Sequence, residues 1–305
     1  MHEGKARVAF LATPLSEQAV RAIKEGWRRR DQERMQKLRR LLEWDEEETV
    51  APIRMILPTR DDSDLVALRT KYDLEKVVSG AGDDYDRLRR LVKWAHDRWQ
   101  HTGDNTPSRS APVTILAEAA QGKRFRCVEY SIVVAGCAQS LGMPARRLGL
   151  KREDVETAKS GAGHVVAEVW LDSRKKWVLV DGQWDAVPEK DGVPLNAVEF
   201  QDAFARNAPG LKIRSSSDIK ADSYLGWVAP YLYYFDFSID QRFSAPQTDH
   251  AEDQRYQPRR GGIMLVPKGA KKPAVFQRRT PMKNLTYISN PRAFYPVPTT
   301  APAAK

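Results

Sequence analysis

Cysteine is nearly absent: the chain of 305 residues has two, Cys127 and Cys137, too few for a disulfide framework. On one helix their spacing would separate them by about 15 Å along the axis, beyond bridging reach. Both are therefore expected as free thiols, which fits a reducing compartment. Long apolar runs are also missing. No stretch reaches the roughly 18 apolar residues that a membrane-spanning helix needs, so no membrane span is expected. The N-terminal run VAFLA is shorter than a signal-peptide core, so no targeting segment is read and a cytoplasmic location is the default.

Histidine is scarce as well, with five residues, and there is no CxxC pair, no HExxH and no cluster at metal-ligand spacing. The stretches SGAGD and SGAGH lack the strand, glycine loop and helix of a phosphate site. Neither a metal nor any other cofactor is expected. Acidic residues vanish from the last 52 positions, which carry eleven Lys and Arg and eight of the 19 prolines. The preceding 253 residues hold 39 basic and 40 acidic side chains, so the whole excess of the +10 net charge sits in that tail. A basic stretch of this kind can dock an acidic partner, although it contains no recognisable nucleic-acid motif.

With 41% hydrophobic and 30% charged residues, a folded, soluble protein is the default. Residues 15–46 read as one or two amphipathic helices, with Val20, Ile23, Trp27, Met35, Leu38, Leu41 and Leu42 at roughly helical spacing. A second helix is expected over 83–101, with an aspartate cap and a stripe of Leu88, Leu91, Trp94, Ala95 and Trp99. VTILAEAAQG is a short helix closed by Gly122. From Val128 to Leu141 nearly every position is apolar, so that helix should be buried all round and end at Gly142. HVVAEVWL and KWVLVD form a hairpin pattern, and residues 195–206 a further helix. Beyond about 210, YLYYFDF, IMLV and AVF read as strands.

Cys127 opens the buried helix, where unpaired backbone N–H groups and the helix dipole favour negative charge. Its alternative reading, and the stronger one for Cys137, is a small core hydrophobe. A nucleophilic thiol needs a base, and the base an orienter. His2 is terminal, His96 and His101 belong to the charged helix or its end, and His250 lies in a polar stretch. That leaves His164, which opens the first hairpin strand, with Asp181 closing the second. A two-residue Ser173–Arg174 loop would set Trp170 opposite Trp177 and place His164 diagonal to Asp181, beside Val166 and Glu168. Val165, Ala167, Val169, Leu171, Val178 and Val180 would then make the core face, and the other face would be the functional one. An odd loop would put His164 and Asp181 on opposite faces.

The segments FRCVEYSIVVAGCAQSLGMPARRLGL and GHVVAEVWLDSRKKWVLVDGQWD together resemble the transglutaminase-like family of the papain-like cysteine fold. That pattern has a Cys opening a helix that ends in a Gly-[Ile/Met]-Pro-Ala-Arg turn, a His heading a strand, and an Asp ending the next. Cys127, residues 142–146, His164 and Asp181 fall on it, while Asp181–Gly182 departs from the Asp-Pro of many members. The resemblance covers roughly residues 80–205.

It implies an α+β fold: a helix headed by the cysteine and packed on an antiparallel sheet, with a helical N-terminal and a β-rich C-terminal extension. The expected divisions are 1–60, a catalytic core over 61–210, and an aromatic- and proline-rich basic extension over 211–305. It also implies acyl transfer on amide bonds of a peptide or protein, with Cys127 as nucleophile, His164 as base and Asp181 as orienter. The Cys127 backbone N–H is the natural oxyanion donor, and Gln121, six residues earlier, a further candidate. His101, Asn105, Glu168 and Gln183 are candidate cleft residues. Glu129, a carboxylate on a buried helix, should have a partner, for which Arg146 is the expectation. The competing reading is a catalytically silent binding module of the same fold, with the basic C-terminal region docking an acidic partner.

Overall fold

The computed structural model describes residue 33, residues 35–243 and residues 261–298. The expected helix positions Val20, Ile23 and Trp27, together with His2 and His250, lie outside the described residues. The chain divides into a unit of residues 1–38 and a unit of residues 39–305. In the first, residues 35–38 are helical. Residues 39–45, read as helix from their periodicity, instead follow an irregular path. Glu43 O accepts from Lys268 N at 2.7 Å, and Asp45 N donates to Ser289 O at 2.9 Å, so the C-terminal region takes backbone groups that a helix would use internally.

Helices lead the second unit: α1 (Ser63–Lys71), α2 (Leu74–Val77), α3 (Asp84–His96), α4 (Pro112–Ala120) and α5 (Cys127–Ser140). α3 begins at an aspartate cap, Asp83 accepting from Asp86 N at 2.7 Å, and it buries Leu88, Leu91, Val92 and Ala95. It ends at His96 and not near residue 101, because the chain turns there to stack Trp99 on Tyr130, ring centroids 4.2 Å apart. Every α5 residue from Glu129 to Ser140 is buried, and Gly142, at φ +82°, supplies the left-handed turn after it.

Next in the chain come β1 (Ala145–Lys151), β2 (Gly163–Leu171), β3 (Lys176–Val180), β4 (Val187–Lys190), β5 (Val193–Pro194), α6 (Ala197–Ala205) and β6 (Leu211–Arg214). Then follow α7 (Ala221–Val228), a 3-10 turn (Ala229–Tyr231), β7 (Tyr234–Ser238), β8 (Gly262–Leu265), β9 (Val275–Phe276), β10 (Thr280–Pro281), β11 (Leu285–Ile288) and α8 (Pro291–Phe294). The main sheet has the order β11-β8-β7-β1-β2-β3 and is antiparallel except between β8 and β11. The fold is α+β. Strands from beyond residue 211 thus continue the sheet that contains the β2–β3 hairpin.

Within that hairpin Trp170 pairs with Trp177 and Leu171 with Lys176, the register expected from the aromatic pair. The turn spans four residues, 172–175, rather than two, with Lys175 at φ +50°, and the even count keeps His164 and Asp181 in phase. Ala167, Val169, Leu171, Val178 and Val180 face α5 and share one core with Val133, Val134 and Ala138. Each such buried Val or Leu stabilises the fold by roughly 1.5–3 kcal/mol over exposure. The opposite face is not an open functional surface. Glu168 is fully buried there against Arg146, whose guanidinium lies 4.3–4.8 Å from the rings of Trp177, Phe237, Phe294 and Tyr295. Only the His164 end of this face belongs to the candidate site.

Candidate active site

Cys127 is half-buried, at the first turn of α5, while Cys137 is fully buried. Glu129 accepts from the Arg126 backbone N–H at 3.0 Å and from its guanidinium at 2.7 Å. The partner of the buried Glu129 is therefore Arg126 and not Arg146. Three residues along one helical turn bring Arg126 to Glu129, whereas Arg146 is held by Glu168 at 2.6 Å. Gln139, also on α5, donates to Ala145 O at 2.8 Å and so ties the far end of the helix to β1.

Two bonds fasten the preceding loop to the entrance of α5. Thr102 N donates to Phe125 O at 2.9 Å, and Asn105 Nδ2 donates to Arg124 O at 2.9 Å. Asn105 thus acts through the backbone that leads into Cys127. His101, at the head of this loop, is exposed. Desolvation and the nearby His164 charge depress its pKa, against the opposing pull of Asp181 and Glu129, so it lies within electrostatic reach of the site. Gln121 follows α4 as an exposed residue, and among the described residues no hydrogen bond ties its side chain to Cys127.

His164 is 2% exposed and Asp181 0% exposed. Nε2–H of the imidazole donates to Asp181 Oδ2 at 2.7 Å, which leaves Nδ1 for the thiol. Burial alone would lower the imidazole pKa. The Asp181 charge and then the Cys127 sulfur outweigh it and raise His164 to about 10. Asp181 Oδ1 accepts from Gln183 N at 3.0 Å, and its backbone pairs with Ala186 in both directions, closing a tight loop. Gln183 therefore supports Asp181 through its main chain, while its side-chain Oε1 is buried with no hydrogen-bond partner among the described residues.

Glu168 does not line the cleft. Besides Arg146 it accepts from Ala197 N at 3.0 Å and from Tyr295 OH at 3.0 Å. A carboxylate placed in a dry layer needs that full set of donors, so the C-terminal segment seals it away from the site.

Sequence reasoning missed an aromatic group around the pair. Trp227 meets the His164 ring edge-on at 4.7 Å and Tyr231 lies 6.0 Å from it, while Trp184 packs on Trp227 at 5.2 Å. Tyr224, Trp227 and Tyr231 recur at helical three- and four-residue steps, a signal divided between an unassigned stretch and the start of the YLYYFDF run read as strand. His96 was passed over too: its Nδ1–H donates to Gly182 O at 3.2 Å, bracing the residue beside Asp181.

Among the described residues no three His, Cys, Asp or Glu side chains come together as a metal site. A cavity of about 520 Å³ lined by Arg40, Glu153, Glu156, Tyr233, Lys268 and Lys271 lies elsewhere and contains none of Cys127, His164 and Asp181. A half-exposed sulfur beside a buried, charge-paired imidazole is an arrangement suited to moving a proton off the thiol.

Residues 73–182 match the transglutaminase-like superfamily. This transglutaminase-like segment includes Cys127, His164 and Asp181 and stops short of α7. No curated protein matches the chain. Among solved structures, a candidate cysteine protease from Cytophaga hutchinsonii is 13% identical with a TM-score of 0.34, over 52% of this chain and 50% of that one. A TGase structure is 20% identical with a TM-score of 0.29, over 40% of this chain and 31% of its own. A chain of the Rad4/XPC nucleotide excision repair complex is 11% identical with a TM-score of 0.31, over 66% of this chain and 47% of its own. The chain thus spans half or less of the length of these structures.

Proposed function

We propose that this protein is a cysteine-dependent acyl-transfer enzyme acting on amide bonds of peptides or proteins, as a peptidase, amidase or transglutaminase-type enzyme. The observation that carries the reading is the buried His164–Asp181 hydrogen bond beside the half-exposed Cys127 at a helix start. In this reading His164 Nδ1 takes the thiol proton, and the Cys127 sulfur attacks the substrate carbonyl carbon. The tetrahedral oxyanion is met by the Cys127 backbone N–H, one of the groups left unpaired in the first turn of the helix. Collapse expels the amine, which leaves with the proton from His164, and a thioester remains. Water or a second amine resolves it, again with His164 removing the nucleophile's proton. Asp181 holds the imidazole tautomer and stabilises the imidazolium.

The test is iodoacetamide labelling as a function of pH, with peptide mapping, for wild type and His164→Ala. Cys137 is the internal control, since burial pushes its thiol pKa up and screens it from reagent. At neutral pH Cys127 should label at least about tenfold faster than Cys137, and lose most of that advantage without His164. Equal rates, or indifference to His164, would refute the nucleophile. The fold would then be read as a silent binding module, with the basic C-terminal stretch as the docking surface for an acidic partner.

A further inference from the structure

The His164–Asp181 pair has another contact, supplied by α7 from outside the matched segment. Tyr224 is 0% exposed, and its hydroxyl lies 3.3 Å from Asp181 Oδ2, the oxygen that also accepts from His164. A buried hydroxyl without an acceptor is costly, so this placement is specified and not incidental. Aromatic packing holds the helix over the site: Trp184 meets Tyr224 at 5.8 Å and Trp227 at 5.2 Å. Three residues apart on one helical face, Tyr224 touches Asp181 while Trp227 touches His164.

We propose that Tyr224 is a positioning residue: its hydroxyl fixes the Asp181 carboxylate, and through it the His164 ring, in the alignment that activates Cys127. This rests on the acyl-transfer reading above. The carboxylate is then held at three points: Gln183 N on Oδ1, and His164 Nε2 and Tyr224 OH on Oδ2. Without the third, only Gln183 N and His164 Nε2 restrain rotation about its Cβ–Cγ bond, and the imidazole's direction is held less tightly. Burial and then the Asp181 charge raise the tyrosine pKa well above its ordinary value, so the hydroxyl stays a donor throughout the working pH range.

The experiment compares iodoacetamide rates at Cys127 in wild type, Tyr224→Phe, His164→Ala and the double variant, from pH 6 to above 10. Phenylalanine keeps the ring and its packing, which a wild-type near-ultraviolet circular dichroism spectrum for Tyr224→Phe verifies, the unfolding midpoint falling only by the few degrees that one lost hydrogen bond costs. Losing one hydrogen bond to a charged group should slow Cys127 about tenfold at neutral pH. The same change should cost nothing when His164 is already absent, because Tyr224 acts through that ring. The gap between wild type and Tyr224→Phe should also close above about pH 10, where the His164 imidazolium discharges. A wild-type rate in Tyr224→Phe, or the same slowing in the His164→Ala background, overturns the positioning role and leaves the acyl-transfer reading standing. A wild-type Cys127 indifferent to His164 overturns both.

Discussion

Gly182, immediately after Asp181, is where a single methyl group should disturb both stability and the site. An ideal Cβ there would lie 2.8 Å from Val134 Cγ2 and 3.3 Å from Tyr130 Cβ, both on α5. Carbon atoms pack best at about 3.5–4.0 Å, so alanine demands a displacement of roughly 0.7–1.2 Å. Val134 is fully buried in the main core and cannot yield cheaply. Overpacking of this kind costs about 1–3 kcal/mol. If the loop moves instead, Asp181 moves with it, and a misplacement of about 1 Å can cost about 100-fold in reactivity. A proline there would carry the same Cβ and meet the same Val134 carbon.

Urea unfolding followed by tryptophan fluorescence should therefore place Gly182→Ala about 1–3 kcal/mol below wild type with an unchanged m-value. Its Cys127 alkylation should slow as well. Val134→Ala removes the clashing carbon, so Gly182→Ala measured in that background should cost about 1 kcal/mol less. Additive costs in the two backgrounds, or a Gly182→Ala variant with wild-type stability and reactivity, would refute the close-approach reasoning.

Two further perturbations address the layer beneath the site and the charge within it. Glu168→Ala strands the buried Arg146 guanidinium, so a loss of about 3–5 kcal/mol is expected in urea unfolding, against a smaller loss for Glu168→Gln. A cost below about 1 kcal/mol would show that the pair is hydrated and not sealed. His164 has a folded pKa of about 10, above the ordinary 6.5, so the folded state binds its proton more tightly than the unfolded chain does. That stabilisation is complete below about pH 6.5 and is lost as pH rises through about 10. Between those limits wild type should lose stability more steeply than His164→Gln, and parallel curves would contradict the raised value.

Much of the scaffold is legible in the sequence, for reasons that are local. The aspartate cap of α3, the all-apolar run of α5 with Gly142 behind it, and the Trp170–Trp177 register depend on near neighbours in sequence and on periods of 3.6 and 2. The phase of His164 and Asp181 follows from that register, because an even turn preserves facing. Periodicity failed where distant partners compete. Residues 39–45 have helical spacing, yet their backbone groups bond to residues 268 and 289. Residues 221–228 carry no local signal that assigned them an element, yet they fold as α7 over His164 and Asp181.

Pairing of charges divides the two levels most clearly. Chemistry alone requires that Glu129 and Glu168 have cationic partners, since a buried carboxylate is costly without one. Which arginine serves which glutamate depends on where helix and sheet come to lie: Arg126 meets Glu129 within one turn, and Arg146 meets Glu168 across β1 and β2. By itself the sequence determined α3 with its aspartate cap, α5, the hairpin phase and the candidate residues for thiol chemistry, because those depend on short-range sterics and side-chain identity. Tertiary structure alone decided that Glu168 is sealed away from the cleft and that Tyr224 reaches Asp181. Both depend on segments more than 40 positions away in the chain being folded over the hairpin.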